Sequence, residues 1–485
     1  MISLISLALL IGILQLLFYA AYTVFRTVYL SPLLKIPGLA YGPLYGNVKE
    51  AMVGEAMESS VKWVRKYGSI VRFYQLFGKE AVLVADAEAI RHILVTNSRN
   101  YPRYTNPVLS RLVPHGLISI EGPIHRATRK SLNPSFGNSA LREFMPHFHQ
   151  AASRMVSRIH SLMKVQQRIE VERLIKEATM TAIGLTVFDT DFGLLTDKEK
   201  TNEEVEALIY IMSQQRQTLL SRLPFYRRLP FATNIKYNTS LKVVHRLCLA
   251  IIQRNSLPGG DSNMLKRLLA TTFEGQDGNK GLLSNSQIKD HVLTFMVAGH
   301  ETSTYSAAWL LLELARNPSI QDKLYEEVLS TDPTSIDIDT LDSLTYLDAC
   351  IKEALRLHPP VSSVSRRAKC DDVIAGYKIP AGTDLVVHTA ALMRTCVPDG
   401  DEFKPERFLD GEFKGKFWLP FSIGPHACIG NKFALLEMKV LVLYLLQQFE
   451  LSPVPGLVIR KRRILIVRPS PPVELILSNR SLSSF

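Results

Sequence analysis

The chain has 485 residues, 46% of them apolar, and 57 Lys and Arg against 45 Asp and Glu, a net charge of +12. Such a length and apolar share allow a large buried core and exclude a disordered or peptide-sized protein. The positive charge is spread along the chain with no basic tail or zinc-finger spacing, so nucleic acid is not expected; an acidic protein partner and an anionic membrane surface both fit. Five cysteines (248, 350, 370, 396 and 428) contain no C-x-x-C pair, which excludes a disulfide framework and a structural zinc site.

Ile2 through Phe25 carry no charged side chain and are rich in Leu and Ile, long enough for one membrane-spanning helix. Arg26 follows directly, and no small-x-small cleavage pattern is clear, so an uncleaved anchor at residues 1–26 is expected instead of a signal peptide. Arg26 and Lys35 place everything downstream on the cytosolic side. Ser31-Pro32, Lys35-Ile36-Pro37-Gly38 and Gly42-Pro43 read as a stiff hinge over 27–47, ahead of a catalytic domain over 48–485.

Ile70–Tyr74 and Ala81–Val84, flanking Gly78-Lys79, predict a β-hairpin, and Asp86 caps a short amphipathic helix to about Val95. From Tyr101 to Gly122 no period is visible. That loop offers Val108, Leu112, Leu117 and Ile118 either as a substrate wall or as ordinary packing. A helix then opens at Gly122-Pro123, with His125 and Arg129 on one face. Several helices are expected between about Ala140 and Asn255. Within them Arg222–Phe231 mixes arginine and aromatics, as a membrane-touching segment or a plain interhelical loop would.

Ser284 and Gln287 form a capping-box pattern, opening a proline-free helix that runs to Asn317. Inside it, Ala298-Gly299-His300-Glu301-Thr302-Ser303 puts glycine, acid and hydroxyls in the middle of an apolar helix. Such violations cluster at functional sites, although Ser and Thr can also bond back to the i−4 carbonyl. Further on, Glu353 and Arg356 lie three apart on a helix that stops before Pro359-Pro360, followed by short strands over Val361–Val387 and by Pro405-Glu406-Arg407-Phe408. Finally, Phe421-Ser422-Ile423-Gly424-Pro425-His426-Ala427-Cys428-Ile429-Gly430 is a tight turn leading into a helix from Asn431 to about Phe449. The N-terminus of that helix points at the cysteine and favours its thiolate.

These stretches, in this order, resemble the cytochrome P-450 superfamily, in which the cysteine of the final loop is the axial thiolate ligand of haem iron. The resemblance covers nearly the whole chain. It implies a mainly α fold with a small β-rich part behind an N-terminal transmembrane helix, and a haem b cofactor (iron protoporphyrin IX). On the matching positions, Cys428 is the iron ligand, Phe421 packs near it, and His125, Arg129, Arg366 and His426 meet haem propionates. Many members carry Trp at the position of His125. Gly299 and Gly430 leave room for haem, Thr302 and Glu301 form the proton-delivery pair, and Glu353, Arg356 and Arg407 are structural support. One departure is Met393-Arg394-Thr395-Cys396 in place of the family's His-Arg-Asp, where a local difference in the loop is expected.

The implied activity is insertion of one oxygen atom from O2 into a lipophilic small molecule by hydroxylation or epoxidation. A terpenoid or other secondary metabolite, a steroid, a fatty acyl chain and a xenobiotic all remain open as substrates. The chain shows no flavin or dinucleotide fingerprint, so electrons are expected from an NADPH-dependent flavoprotein reductase at the endoplasmic reticulum membrane. Arg126, Lys130, Lys432 and Lys439 are candidates for facing that partner. A haem-thiolate isomerase or dehydratase needs no oxygen activation, which intact Glu301-Thr302 argues against. A non-catalytic haem- or sterol-binding membrane protein would keep Cys428 without needing Thr302.

Overall fold

The computed structural model describes residues 4–104, 107–195, 203–213, 226–256, 264–266, 269, 284–333, 336–413 and 417–480. In chain order the elements used below are α1 (Leu4–Phe25), β1 (Ile70–Tyr74), β2 (Glu80–Val84), α2 (Gly122–Leu132), α3 (Asn138–Met163), β3 (Arg168–Glu170) and α4 (Val171–Phe188). Then come α5 (Asn285–Arg316), α6 (Thr345–Leu357), β4 (Val364–Arg367), β5 (Asp372–Ile374), β6 (Tyr377–Ile379), β7 (Asp384–Val387) and α7 (Thr389–Thr395). The chain closes with α8 (Asn431–Gln448), β8 (Phe449–Pro453), β9 (Arg460–Arg463), β10 (Val467–Ser470) and β11 (Glu474–Asn479). Helix predominates, with small sheets, as expected. Contacts group the chain into two compact units: 1–104 with 362–400 and 417–427, and 105–361 with 401–416 and 428–485.

The first unit holds the sheet β1-β2-β7-β4 and the hairpin β5-β6. The β1–β2 hairpin forms where alternation and Gly78 predict it, with Tyr74 opposite Glu80. β2 also pairs in parallel with β7, some three hundred residues later, and Val82, Leu83 and Val84 are buried on both faces because the strand is central. The hinge is folded into this unit. Ser31 caps a 3₁₀ turn over Pro32–Lys35, Leu33, Ile36 and Leu39 join the core, and Arg72 N donates to Pro37 O at 2.9 Å. α1 forms over nearly the expected span, and Leu10, Leu14, Phe18 and Phe25 are among its exposed apolar side chains. Among the described residues one stretch near the N-terminus is long and apolar enough to cross a membrane.

The second unit is built around α5. Its N-terminus is the predicted capping box: Gln287 N donates to Ser284 Oγ at 3.3 Å, and Ser284 N donates to Gln287 Oε1 at 2.7 Å. α4 crosses it closely, tied by Thr179 Oγ1 and Thr304 Oγ1 at 2.9 Å. Near its end Trp309 stacks on His358 at 4.3 Å, and His358 Nε2 lies 3.0 Å from Glu313 Oε1. β3-β11-β8 and β9-β10 complete the unit.

The structure differs from expectation in several places. The loop Tyr101–Gly122 contains a short helix over Pro107–Leu112, opened by a proline whose missing N–H costs nothing in a first turn. Leu112 and Leu117 are buried there. A helix also runs over Glu58–Tyr67, and among the C-terminal strands β9 pairs locally with β10 while β11 pairs with β8 and with the distant β3. Met393–Cys396 mostly ends α7, where Arg394 Nη1 reaches Glu58 Oε1 at 2.7 Å. Part of Arg222–Phe231, namely 222–225, falls outside the described residues; Tyr226–Arg228 form a 3₁₀ turn.

Candidate active site

In the second unit, α5 is buried nearly all round. From Asp290 to Ala315 only Ala298, Gly299 and Thr302 are not buried. These positions (i, i+1 and i+4) share one side of the helix, so the acid–hydroxyl run opens onto space over about one turn. Thr302 Oγ1 donates to Ala298 O at 2.7 Å, the back-bond that spares the hydroxyl an orphaned donor and leaves its lone pairs available. Glu301 is buried on another side of the helix. Burial raises its carboxyl above the usual range, and Lys176 of α4 and Arg468 of β10 pull it back. The same Arg468 acts on Tyr305, one turn along.

Gly299 has a reason that sequence could not supply. A Cβ there would lie 2.0 Å from Ile183 Cδ1, the tip of a side chain on α4 that would have to shift. Gly430 is different: its φ is ordinary, and an added Cβ would meet only Phe136 at 3.7 Å. Neither the backbone nor a protein neighbour demands glycine there.

Cys428 keeps exposed surface, yet protein crowds it enough that burial is the largest influence on its thiol. The net effect is a raised pKa, opposing the expectation that the helix terminus alone favours thiolate. The N–H of Gly430 and the charge of Arg129 act in the opposite direction. A bound metal cation deprotonates a coordinating thiol outright and overrides this balance. α8 is held by Phe433, edge-on to Phe148 at 4.9 Å and to Phe144 at 6.2 Å, both from α3. Arg129 is half-buried on α2, its guanidinium pKa lowered by burial and raised by Cys428. His125, one turn earlier, is 2% exposed.

The buried support network is complete. Glu353 takes Arg356 in bidentate form, Nε to Oε2 at 2.7 Å and Nη2 to Oε1 at 2.8 Å. Arg407 Nε reaches Glu353 Oε1 at 3.3 Å while its Nη1 holds Glu412 at 3.0 and 3.1 Å. Lys404 N donates to Glu353 Oε1, and Arg356 Nη2 to Glu402 O, so the segment 402–407 is pinned to α6.

The first unit holds residues 417–427. Gly424 has φ +79°, and a Cβ there would meet Leu94 O at 2.0 Å, so the turn admits only glycine. Gly424–His426 form a 3₁₀ turn with Pro425 in its first positions. Phe421 sits edge-on to Trp418 at 5.9 Å, and His426 is half-buried. Arg366, on β4, is buried and donates Nη1 to Ser365 O at 2.9 Å.

Of the four basic residues considered for a partner, Arg126, Lys130 and Lys432 are exposed. Lys439 is not. It is buried, with Nζ 3.0 Å from Asp342 and 3.3 Å from Asp348. α8 is buried on all sides over Leu436–Leu446, so Lys439 is inside, where two carboxylates offset its desolvation.

A cysteine sulfur beside an arginine, with an open turn of an otherwise buried helix in the same unit, is a residue set that fits an iron porphyrin: a soft donor and a cation for an acidic rim. Such a site defines a haem-thiolate oxidoreductase. The family model for Cytochrome P450 matches residues 36–477, and the chain belongs to that family. It is 28% identical to cytochrome P450 monooxygenase 205 of Postia placenta, over 90% of each chain. It is 28% identical to cytochrome P450 monooxygenase claP of Ampulloclitocybe clavipes over 85% of each, and 27% identical to the chloroplastic carotene epsilon-monooxygenase of Arabidopsis thaliana over 84% of this chain and 79% of that one. The protein is thus a haem-dependent monooxygenase that uses O2, a lipophilic substrate and a redox partner.

Proposed function

We propose that Cys428 is the axial thiolate of a haem b whose propionates are met by His125, Arg129, Arg366 and His426, with Phe421 packed near the sulfur and Gly299 and Gly430 clearing its faces. Thiolate-ligated haem, when bound, supplies the O2 activation, the thiolate favouring O–O cleavage. The chain's own residues position and protonate. Thr302 orients distal water and oxygen, and Glu301, held toward its protonated form by burial, supplies protons to it. Glu353, Arg356 and Arg407 keep the approach to the cysteine rigid. The observation that carries this reading is the opening of α5 at Ala298, Gly299 and Thr302 alone.

The substrate is a lipophilic small molecule, hydroxylated or epoxidised, with a terpenoid or other secondary metabolite favoured. Fungal relatives and one relative named for carotene support that class. Electrons come from an NADPH-dependent flavoprotein reductase. α1 anchors the protein in the endoplasmic reticulum membrane, with 48–485 forming the cytosolic catalytic part. The test is a reduced carbon-monoxide difference spectrum of membranes expressing the chain beside Cys428→Ala. A red-shifted thiolate Soret band lost in the variant is expected; haem-loaded protein without that band would sink the ligand assignment.

A further inference from the structure

Glu437 lies on α8, the helix that follows Cys428, and is 1% exposed. Neither of its carboxyl oxygens has a hydrogen-bond partner among the described residues, and the hydroxyl of Ser303 on α5, 2% exposed, has none either. Ser303 is close enough to lower the carboxyl's pKa although the two are not in hydrogen-bonding geometry; burial is the larger influence and pushes it up to about 8. Among the described residues, burial and Ser303 are the influences that act on this carboxyl, and charged groups near α8 have other partners. His149 of α3 meets Tyr444, while Asp342 and Asp348 pair with Lys439. An ionised Glu437 therefore has no charge to offset it, and a bare buried carboxylate costs more than its protonated form. A buried acid that makes no structural bond calls for another reason to be an acid.

That reason lies in its neighbourhood, and it rests on the proposed ligation by Cys428. Nine positions separate the two residues, and Asn431 to Glu437 rise only roughly 9 Å along the helix. One-electron reduction of iron adds one negative charge near the start of α8. In general, a unit charge on the order of 15 Å from a carboxylate, at an effective dielectric of about 20, raises its proton affinity by a factor of several.

We propose that Glu437 is a redox-linked proton site, binding a proton more tightly once the iron has accepted an electron, so that reduction draws a proton from solvent into the α5–α8 interface. The balance is simple. With haem bound, each electron delivered by the redox partner would be matched at Glu437 by one solvent proton, which turns the carboxylate into the acid. The added charges cancel, and no bond within the protein is broken. Only around and above about pH 8, where part of the population is ionised, does this uptake offset the charge that reduction creates.

The test uses full-length, haem-loaded protein. Its reduction potential is followed from about pH 6 to about pH 9.5, with infrared spectra taken before and after reduction at about pH 8.5. The wild-type potential is expected to be flat below about pH 7 and to fall above it, while Glu437→Gln stays flat throughout. On reduction, wild type should gain a protonated-carboxyl C=O band that is absent in Glu437→Gln and displaced in Ser303→Ala. Equal slopes in wild type and Glu437→Gln, or no carboxyl band on reduction, would overturn the proposal. If Glu437→Gln fails to load haem, wild type against Ser303→Ala decides on the infrared band alone. A missing thiolate Soret band would overturn the ligand reading and this proposal together; a normal Soret band with a pH-independent potential would overturn this proposal only.

Discussion

At Gly299 a methyl in place of a hydrogen would press on the side-chain tip of Ile183 in the neighbouring helix. Alanine would gain about 1 kcal/mol of helix propensity. Its methyl, 2.0 Å from Ile183 Cδ1, introduces overpacking that costs about 1–3 kcal/mol. Gly299→Ala is therefore expected to lower stability in thermal melts, and Ile183→Val, which removes the clashing atom, should restore it in the double variant. An unrestored melt would mean that the α4–α5 contact is not the constraint. Thr302 belongs to a different class. Its hydroxyl bonds only within its own helix, so Thr302→Ala should leave folding and the carbon-monoxide spectrum intact. With reductase present, NADPH should still be consumed, but hydrogen peroxide should replace product, which falls by about tenfold or more. Product at the wild-type level would remove Thr302 from the proton route.

The elements show where single residues become cooperative. Glu353 serves Arg356, Arg407 and Lys404 N at once, with Glu353 and Arg356 fully buried and Arg407 1% exposed. Removing one partner leaves uncompensated charge inside, a loss of about 3–5 kcal/mol. Glu353→Ala should therefore unfold at markedly lower temperature and retain less haem per protein. A melt within a degree or so of wild type would show that the network is dispensable. By contrast the ion pair between Arg142 and Asp339 is exposed at both ends, and its loss should be close to neutral.

For the whole molecule, two properties follow from sums over many groups. Glu172 and Glu437 have pKa values pushed up to about 7 and about 8 by burial. A raised carboxyl pKa means that the folded state holds a proton the unfolded chain has released. Stability from these groups is complete below about pH 4.5 and is lost as pH rises through 7 and 8. The melting temperature should therefore decline over this window, and Glu437→Gln should flatten the upper part of the decline. Removal of residues 2–26 tests the anchor. The truncated chain should leave the membrane fraction, at least in high salt, while keeping its carbon-monoxide spectrum. Membrane retention in high salt would point to a second contact surface.

What could be read from residues alone was whatever chemistry writes locally. The capping box of Ser284 and Gln287, the β1–β2 hairpin, the apolar first helix, and the Gly-Pro turn before Cys428 each depend on neighbours within a few positions. The family motifs are likewise short runs whose spacing is visible in one dimension. Tertiary structure decided what depends on the approach of distant segments. It set the pairing of β2 with β7, the folding of the hinge onto β1, and the burial of Lys439 against Asp342 and Asp348. It also fixed the placing of Lys176 and Arg468 around Glu301, and a carboxyl at Glu437 with no partner. Desolvation is a property of surroundings, and the surroundings of a buried charge come from segments distant in sequence, so its pKa and its role could be read only once the chain had folded.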